Sequence, residues 1–253
     1  MVRGINQFRA YFKDFTDQFA LIGGTACDLI MEEAGIVFRA TKDIDIVLIV
    51  EMLSASFINV FWKFIQDGKY EVQQKESGEK QFYRFKNPGN KEYPYMLELF
   101  SRIPDSLDPP EGESRFTPIP VEEAVSSLSA ILMDLPYYKF LHDGVRLIDE
   151  IPIVGPEYLI PLKAKAWMDL KERQKSDPQI SRKKVSRHKN DLFRLFQVIE
   201  PGKKIRIPPE VKRDMSIFLK RMLDEPDNLE ALGIRSLSMK EVLSQLYRIY
   251  VKD

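Results

Sequence analysis

Two aspartates and a pair of glycines are the residues of this sequence whose types and spacing could do chemistry. Asp43 and Asp45 lie two residues apart in a β-branched run, so alternation along a strand places both carboxylates on one face. Gly23-Gly24 lies upstream, where a short apolar run ends. Paired carboxylates suit a hard cation such as Mg²⁺, and unhindered N–H groups at a helix N-terminus suit a phosphate. Together these features indicate chemistry on a nucleotide.

The elements that position these residues are expected in the order strand, turn, helix, strand. Residues 19–22 predict a short strand, Gly23-Gly24 predicts the turn, and Thr25 is the predicted cap of a helix that stops at Gly35. The aspartates then lie on the following strand, whose other face is apolar and should pack on a helix. The alternative is a hairpin or βαβ unit with exposed acids and a purely structural glycine turn.

At these positions the sequence resembles the nucleotidyltransferase superfamily, whose signature is a Gly-Gly or Gly-Ser turn opening a helix, followed by Asp-x-Asp on the next strand. The longer pattern GGTAxxL followed by R-x-T-x-D-h-D looks like the AbiEii/AbiGii type, which includes toxins of type IV toxin–antitoxin pairs. The residues that match are Gly23 to Leu29, Arg39, Thr41, Asp43 and Asp45. The resemblance implies an α+β fold: a mixed β-sheet domain with flanking helices, then a C-terminal helical domain.

A third acidic residue lies in an otherwise apolar run, residues 95–100. A charge there is costly unless it is paired or bound to a metal, which draws attention to Glu98. The superfamily places its third carboxylate on a later strand of the same sheet, and Glu98 matches that position. Asp105 is the competing candidate, and an outward-pointing Glu98 on an edge strand is the structural alternative.

The second half of the chain contains two further positions that match AbiEii relatives, Lys163 and Asp191. In those relatives a lysine and an aspartate of the helical half face the nucleotide. By resemblance, Lys163 contacts triphosphate oxygens and Asp191 orients that lysine or the acceptor. The family motif usually reads Lys-Asp-x-x-Asp, and Asn190-Asp191 departs from it. The basic run at residues 182–189 is either a nucleic-acid contact or a solvated face.

The resemblance implies a magnesium-dependent transfer of a nucleoside monophosphate from a nucleoside triphosphate such as ATP. The nucleotide would lie on Gly23, Gly24, Thr25, Arg39 and Thr41, and two Mg²⁺ ions would be held by the three carboxylates. The implied acceptor is an RNA, above all tRNA, or a protein, and a cognate antitoxin is an implied partner. The alternatives are a small-molecule nucleotidyltransferase of the antibiotic-modifying kind and a non-catalytic nucleotide-binding relative.

Length and composition predict a globular protein of two domains. The 253 residues are 44% apolar, and Gly155-Pro156 is the predicted boundary between a catalytic domain, residues 1–155, and a helical domain, residues 156–253. No run approaches the roughly 20 apolar residues that a membrane span needs, and a signal-peptide core is missing, so a cytoplasmic protein is expected. The single cysteine, Cys27, is expected in the core, and with only two histidines beside it the chain is not expected to bind zinc.

The net charge of zero hides an asymmetry. Residues 1–155 contain 16 basic and 24 acidic residues, and residues 156–253 contain 22 and 14, which gives −8 followed by +8. The basic half suits a polyanion, or the two halves simply attract one another.

Further elements follow from hydrophobic periodicity and turn residues. Residues 5–15 predict an amphipathic helix, and residues 57–65 predict a helix ending near Gly68, with Trp62 in the core. Residues 70–74 and 81–86 predict a hairpin, and residues 103–120 a loop that is either a lid or a connection. Residues 121–132 are ambiguous, residues 144–148 and 151–154 predict strands, and His142 is expected at the surface. The second half predicts four helices, which start near residues 157, 185, 209 and 239.

Overall fold

The computed structural model describes residues 2–71, 82–100, 134–226 and 228–252, and it confirms the predicted α+β class. The chain divides into two compact units. The first comprises residues 1–133 and 145–155, and the second comprises residues 134–144 and 156–253. The predicted domain boundary at residue 155 stays a prediction; in the structure, the short segment 134–144 groups with the helical unit.

The first unit is built on a mixed sheet that has six strands in the described ranges. Its strand order is β3-β4-β2-β1-β6-β5. β1 is antiparallel to β2 and parallel to β6, β2 is parallel to β4, and the outer pairs β3–β4 and β5–β6 are antiparallel. The strands are β1 Phe19–Ile22, β2 Asp43–Leu48, β3 Phe82–Lys86, β4 Met96–Phe100, β5 Val145–Ile148 and β6 Ile151–Val154.

The predicted helices of the first unit are present. They are α1 Ile5–Phe12, which continues as a 3₁₀ turn over Lys13–Phe15, α2 Gly23–Glu33 and α3 Ala55–Asp67. Aromatic side chains hold α1 and α3 against β1, because Phe12 contacts Phe19, Phe57 and Phe64 with ring centroids 5.4–5.8 Å apart. Trp62 is buried as predicted.

The start of α2 differs from the prediction. The helix begins at Gly23 with Ile22 as its N-cap, three residues earlier than a Thr25 cap would require. The Thr25 hydroxyl therefore cannot cap this helix, and it donates instead to the backbone carbonyl of Asp43, 2.6 Å away. The end of α2 is as predicted, since Gly35 adopts a left-handed φ of 70° and Ile36 N–H closes back on the carbonyl of Met31.

The second unit is helical, and its four predicted helices are confirmed. A fifth helix, α4, was not predicted, and exposed His142 lies in its last turn. The unit's core includes Trp167 and Phe218, whose rings meet edge to face at 5.6 Å. The helices are α4 Leu135–Asp143, α5 Pro156–Arg173, α6 Arg182–Phe196, α7 Pro209–Met222 and α8 Met239–Tyr250.

Some sequence predictions fall on residues that the structure does not describe. Asp105, the loop at residues 103–120, the segment 121–132 and most of the predicted hairpin turn lie outside the described residues. Of the hairpin, β3 is present, and Glu71 forms an antiparallel bridge with Lys86. In the described part of the chain, no helix has the length and hydrophobicity to span a membrane.

Candidate active site

The glycine turn between β1 and α2 packs directly against the residues that the sequence singled out. Gly23 has φ +67°, and a Cβ at this position would overlap the Asp45 carboxylate. A Cβ on Gly24 would lie 2.7 Å from Thr41 Oγ1 and 3.3 Å from Arg39 Nη2. Both positions therefore need glycine, because the backbone itself is in contact with three polar side chains.

Asp43 and Asp45 lie at the start of β2, next to this turn. In the sheet register, Asp45 is opposite Ile22, the last residue before the glycines. Its carboxylate is largely buried, with 8% of the residue exposed, and the Gly24 N–H approaches Asp45 Oδ2 at a long 3.4 Å. The backbone amide at the start of α2 and the acidic residues of β2 are thus immediate neighbours, as predicted.

Arg39 and Thr41 reach the turn from an irregular segment. β2 begins only at Asp43, so strand alternation does not position the two side chains, yet both lie over Gly24. Arg39 also lies near Asp28 on α2, whose pKa is raised by burial and by Glu32 and lowered by the Arg39 charge. A guanidinium beside the buried N-terminal turn of α2 makes the local electrostatics favourable for an anion.

Glu98 lies on the same face of the sheet as Asp45. The parallel register of β2 and β4 sets Asp45 opposite Glu98, so their side chains leave neighbouring strands at about 5 Å separation. The antiparallel register of β3 and β4 sets Arg84 opposite Glu98 on the other side, and the two side chains form an ion pair. With 24% and 17% of the side chains exposed, this pair is mostly shielded from solvent.

The carboxylates of Asp43, Asp45 and Glu98 decide whether this site suits a magnesium ion. Within the described ranges, no group of three or more acidic, histidine or cysteine side chains is arranged to hold a metal ion. Mg²⁺ commonly binds through one or two carboxylates, with waters and substrate phosphates completing its octahedron. The Asp43 and Asp45 pair fits that mode. Glu98 does not add a third oxygen while it binds Arg84.

Lys163 and Asp191 lie in the second unit and bind each other. Lys163 Nζ is 3.2 Å from Asp191 Oδ2, and the side chains are only 2% and 1% exposed. Asp191 Oδ1 is also 3.4 Å from Arg194 Nη1. The prediction that Asp191 orients Lys163 agrees with this geometry, and contact of either residue with a nucleotide stays a prediction.

The structure thus brings together Gly23, Gly24, Thr25, Arg39, Thr41, Asp43, Asp45 and Glu98 in the first unit. Sequence reasoning missed Arg84 as the partner of Glu98. The available signal was the alternation in residues 82–86, which places Arg84 on a defined face of its strand. The strand register that pairs Arg84 with Glu98 cannot be predicted from the sequence of either strand alone.

These features define an α+β protein in which a glycine turn and an acidic strand meet on one side of a mixed sheet. No protein-family model and no curated protein sequence matches the chain. Its structure is similar to that of an antigenic nucleotidyltransferase-like protein from Paracoccidioides brasiliensis. The alignment covers 92% of this chain and 96% of that one, with 16% sequence identity and a TM-score of 0.42. At that similarity, function has to be argued from the site itself.

Proposed function

We propose that this chain is a nucleotidyltransferase that moves a nucleoside monophosphate from a nucleoside triphosphate to an acceptor. The observation that carries the proposal is the direct packing of the Gly23-Gly24 turn against Asp45, Thr41 and Arg39. A phosphate-binding backbone and a carboxylate pair that suits Mg²⁺ are useful together only when the ligand contains both phosphate and metal.

Binding of the triphosphate is assigned to the turn. The N-terminal N–H groups of α2 and the Arg39 guanidinium supply donors for phosphate oxygens, and the ligand would reach this backbone by displacing the side chains that pack on the glycines. The Gly24 N–H makes only a long 3.4 Å hydrogen bond to Asp45 Oδ2, and a phosphate oxygen would replace that acceptor once the side chains over the buried Gly24 move. The Thr25 hydroxyl, bound to the Asp43 carbonyl, fixes the distance between helix and strand.

Asp43 and Asp45 would hold Mg²⁺, and Glu98 would join them only after its ion pair with Arg84 opens. When bound, the metal lowers the pKa of the attacking hydroxyl and neutralises the leaving phosphates. In the transfer, the acceptor oxygen forms a bond to the α-phosphorus while the bond from that phosphorus to the pyrophosphate oxygen breaks. The hydroxyl proton passes to a carboxylate, with Glu98 as the proposed acceptor, or to water.

The acceptor is proposed to be an RNA, above all tRNA, because residues 156–253 contain eight more basic than acidic residues. A protein is the alternative acceptor. We further propose that the chain acts in the cytoplasm and has a cognate antitoxin as a partner. Lys163 is the proposed phosphate contact of the helical unit, a role that requires its buried ion pair with Asp191 to open.

The ion pair between Arg84 and Glu98 supports a second candidate, a non-catalytic nucleotide-binding protein. A glutamate whose oxygens are engaged by an arginine is a poor metal ligand, so the site would bind a triphosphate without transferring it. Nucleotide binding without label transfer is the outcome that would favour this candidate.

Incubation of the purified protein with each labelled triphosphate, Mg²⁺ and total RNA tests the main proposal. The wild type should label a defined RNA or protein band, and the Asp43→Asn, Asp45→Asn double variant should lose at least about 100-fold of that activity, since it loses both carboxylate charges. Asp17→Asn, at an exposed aspartate of the same unit, is the matched control and should retain activity. Equal labelling by wild type and double variant would refute the proposal.

A further inference from the structure

A cavity in the helical unit contains a second arrangement suited to an anionic ligand. It has a volume of about 380 Å³ and lies between the segment that follows α6 and the last turns of α8. Ligand pockets in proteins are roughly 300–1,000 Å³, so this one has room for a small ligand. None of the described residues that line it belongs to the candidate active site, and the cavity is named the α6–α8 pocket.

One wall of the α6–α8 pocket is a tight turn over residues 200–203. Proline at position 201 and glycine with φ +83° at position 202 are the two central residues of a type II turn. The Lys203 N–H closes the turn by donating to the Glu200 carbonyl at 3.2 Å. The segment is tied to α8 by Ile205 N–H, which donates to the Ile249 carbonyl at 3.3 Å. The wall is therefore formed before any ligand arrives, which lowers the entropic cost of binding.

Cations dominate the lining of the α6–α8 pocket. Lys203 and Lys204 lie at the end of the turn and just after it, Arg248 lies in the last turn of α8, and Lys252 follows that helix; Glu200 is the one acidic residue among the described residues of the lining. Lys203 is neutralised by Glu157, with which it forms an ion pair that raises the Lys203 pKa. In the part of the chain that the structure describes, the other three cations have no ion-pair partner. All three are exposed and line the same pocket, so each would attract a bound anion.

The rest of the lining indicates what the anion is attached to. Phe196, Ile199 and Ile249, each 6–7% exposed, form an apolar floor. Gln245 adds an amide that can both donate and accept hydrogen bonds. An apolar floor, an amide and a cationic rim match a planar heterocycle with polar edges that carries a phosphate.

We propose that the α6–α8 pocket binds a nucleotide, with the phosphate between Lys204 and Arg248 and the base on the floor beside Gln245. The nucleotide is either a free mononucleotide or one residue of an RNA strand, since both present the same phosphate and base. The pocket does not depend on the function proposed for the first unit, because it uses none of the same residues.

Calorimetric titration of the full chain with AMP, adenosine, inorganic phosphate and an RNA hexamer tests this proposal. The titrations are made in EDTA and in the Asp43→Asn, Asp45→Asn background, so that metal-dependent binding in the first unit does not contribute. AMP should bind more tightly than adenosine and more tightly than phosphate. Each of Lys204→Gln and Arg248→Gln should weaken AMP binding about tenfold, as expected for the loss of one charged hydrogen bond.

The matched control is Arg235→Gln with Lys240→Gln, two exposed cations of the same unit outside the pocket, and it should bind AMP like its parent. Tighter binding of the hexamer than of AMP would assign the pocket to RNA, and the reverse order would assign it to a free nucleotide. Absence of AMP binding, unchanged affinity in both pocket variants, or equal affinity for AMP and phosphate would overturn the proposal. Superimposable thermal melts of the variants establish that they are folded.

Discussion

Gly23 is the residue where backbone conformation and site geometry depend on each other most strongly. Its left-handed φ costs a residue with a Cβ about 1–2 kcal/mol, and the added Cβ would also overlap the Asp45 carboxylate. Gly23→Ala should therefore lower the free energy of unfolding by more than that backbone cost, as measured by urea denaturation. Gly35→Ala separates the two effects, because Gly35 has φ +70° and a Cβ added there would meet no described atom within 4 Å. Equal losses in the two variants would contradict a contact between Gly23 and Asp45.

The ion pair between Arg84 and Glu98 leads to a second prediction at the residue scale. Arg84→Met leaves a mostly buried carboxylate beside Asp45, so the single variant should lose about 1–3 kcal/mol of stability. Adding Glu98→Gln should recover much of the loss, which a double-mutant cycle in urea measures as a coupling energy.

The matched control for that cycle is another arginine–glutamate pair of the same unit. Arg146 and Glu33 are 2.7 Å apart, but their side chains are 42% and 46% exposed. Exposed pairs contribute about 0–1 kcal/mol. A coupling energy for Arg84 and Glu98 no larger than that of the control would show that the buried pair does not hold Glu98.

Sequence reasoning at the residue scale succeeded where neighbours in space are also neighbours along the chain. The contact of Gly23 and Gly24 with Asp45 follows from one strand–turn–helix–strand segment, whose order is readable locally. Arg84 was missed because its contact with Glu98 depends on a strand register between separate parts of the chain, and hydrophobic alternation does not specify that register uniquely.

At the scale of elements, helices with a regular apolar stripe were predicted well. α5, α7 and α8 start within one residue of the predicted positions, whereas α6, predicted to start near residue 185, begins three residues earlier at Arg182, after the Ser181 cap. α4 was missed: its nine residues include Pro136 in the first turn, and its buried Tyr137, Tyr138, Phe140 and Leu141 were not recognised as a helical face. Such a short helix is stabilised by packing more than by propensity.

Packing of α5 on α7 places three charged residues together. Their contacts lead to a prediction about how stability depends on pH. Lys165 Nζ lies 3.7 Å from Asp169 Oδ1 and 3.3 Å from Asp214 Oδ2. Burial raises the Asp169 pKa; Asp214 raises it further, and Lys165 opposes both. A carboxyl with a raised folded-state pKa stabilises the fold when protonated, and this contribution is lost as pH rises through the folded pKa. Asp169 therefore costs stability at neutral pH.

Asp169→Asn should remove that cost, because the amide stays neutral and Lys165 keeps Asp214 as a partner. Thermal melts should show the variant gaining stability relative to wild type as pH rises from about 4, the ordinary aspartate pKa, to 7. Asp177→Asn, an aspartate in the turn after α5, is the control and should show a smaller change. A gain that is equal at pH 4 and pH 7 would mean that Asp169 does not titrate as described.

For the whole molecule, the opposite charges of the two halves leave two interpretations: a polyanion bound by the basic half, or mutual attraction between the halves. The position of the exposed cations on α6 bears on this choice. Arg182, Lys183, Lys184 and Arg187 are exposed in its first turns, where the positive end of the helix dipole disfavours cations. Helix stability therefore does not explain them. The cations Lys220 and Arg221 lie in the last turn of α7, where the dipole favours them.

The prediction is that the α6 cations contact RNA phosphates and those of α7 do not. Replacing Lys183, Lys184 and Arg187 by glutamine should weaken binding of single-stranded RNA and reduce the slope of log affinity against log salt by about 0.7 for each lost contact. Replacing Arg213, Lys220 and Arg221 by glutamine removes the same number of positive charges as the α6 variant. This control should leave the slope near the wild-type value. Fluorescence anisotropy from low to physiological salt measures both. A general loss of positive charge would change the slope equally in the two triple variants, whereas the loss of phosphate contacts would change it only in the α6 variant. Identical slopes would therefore leave mutual attraction as the explanation of the charge asymmetry.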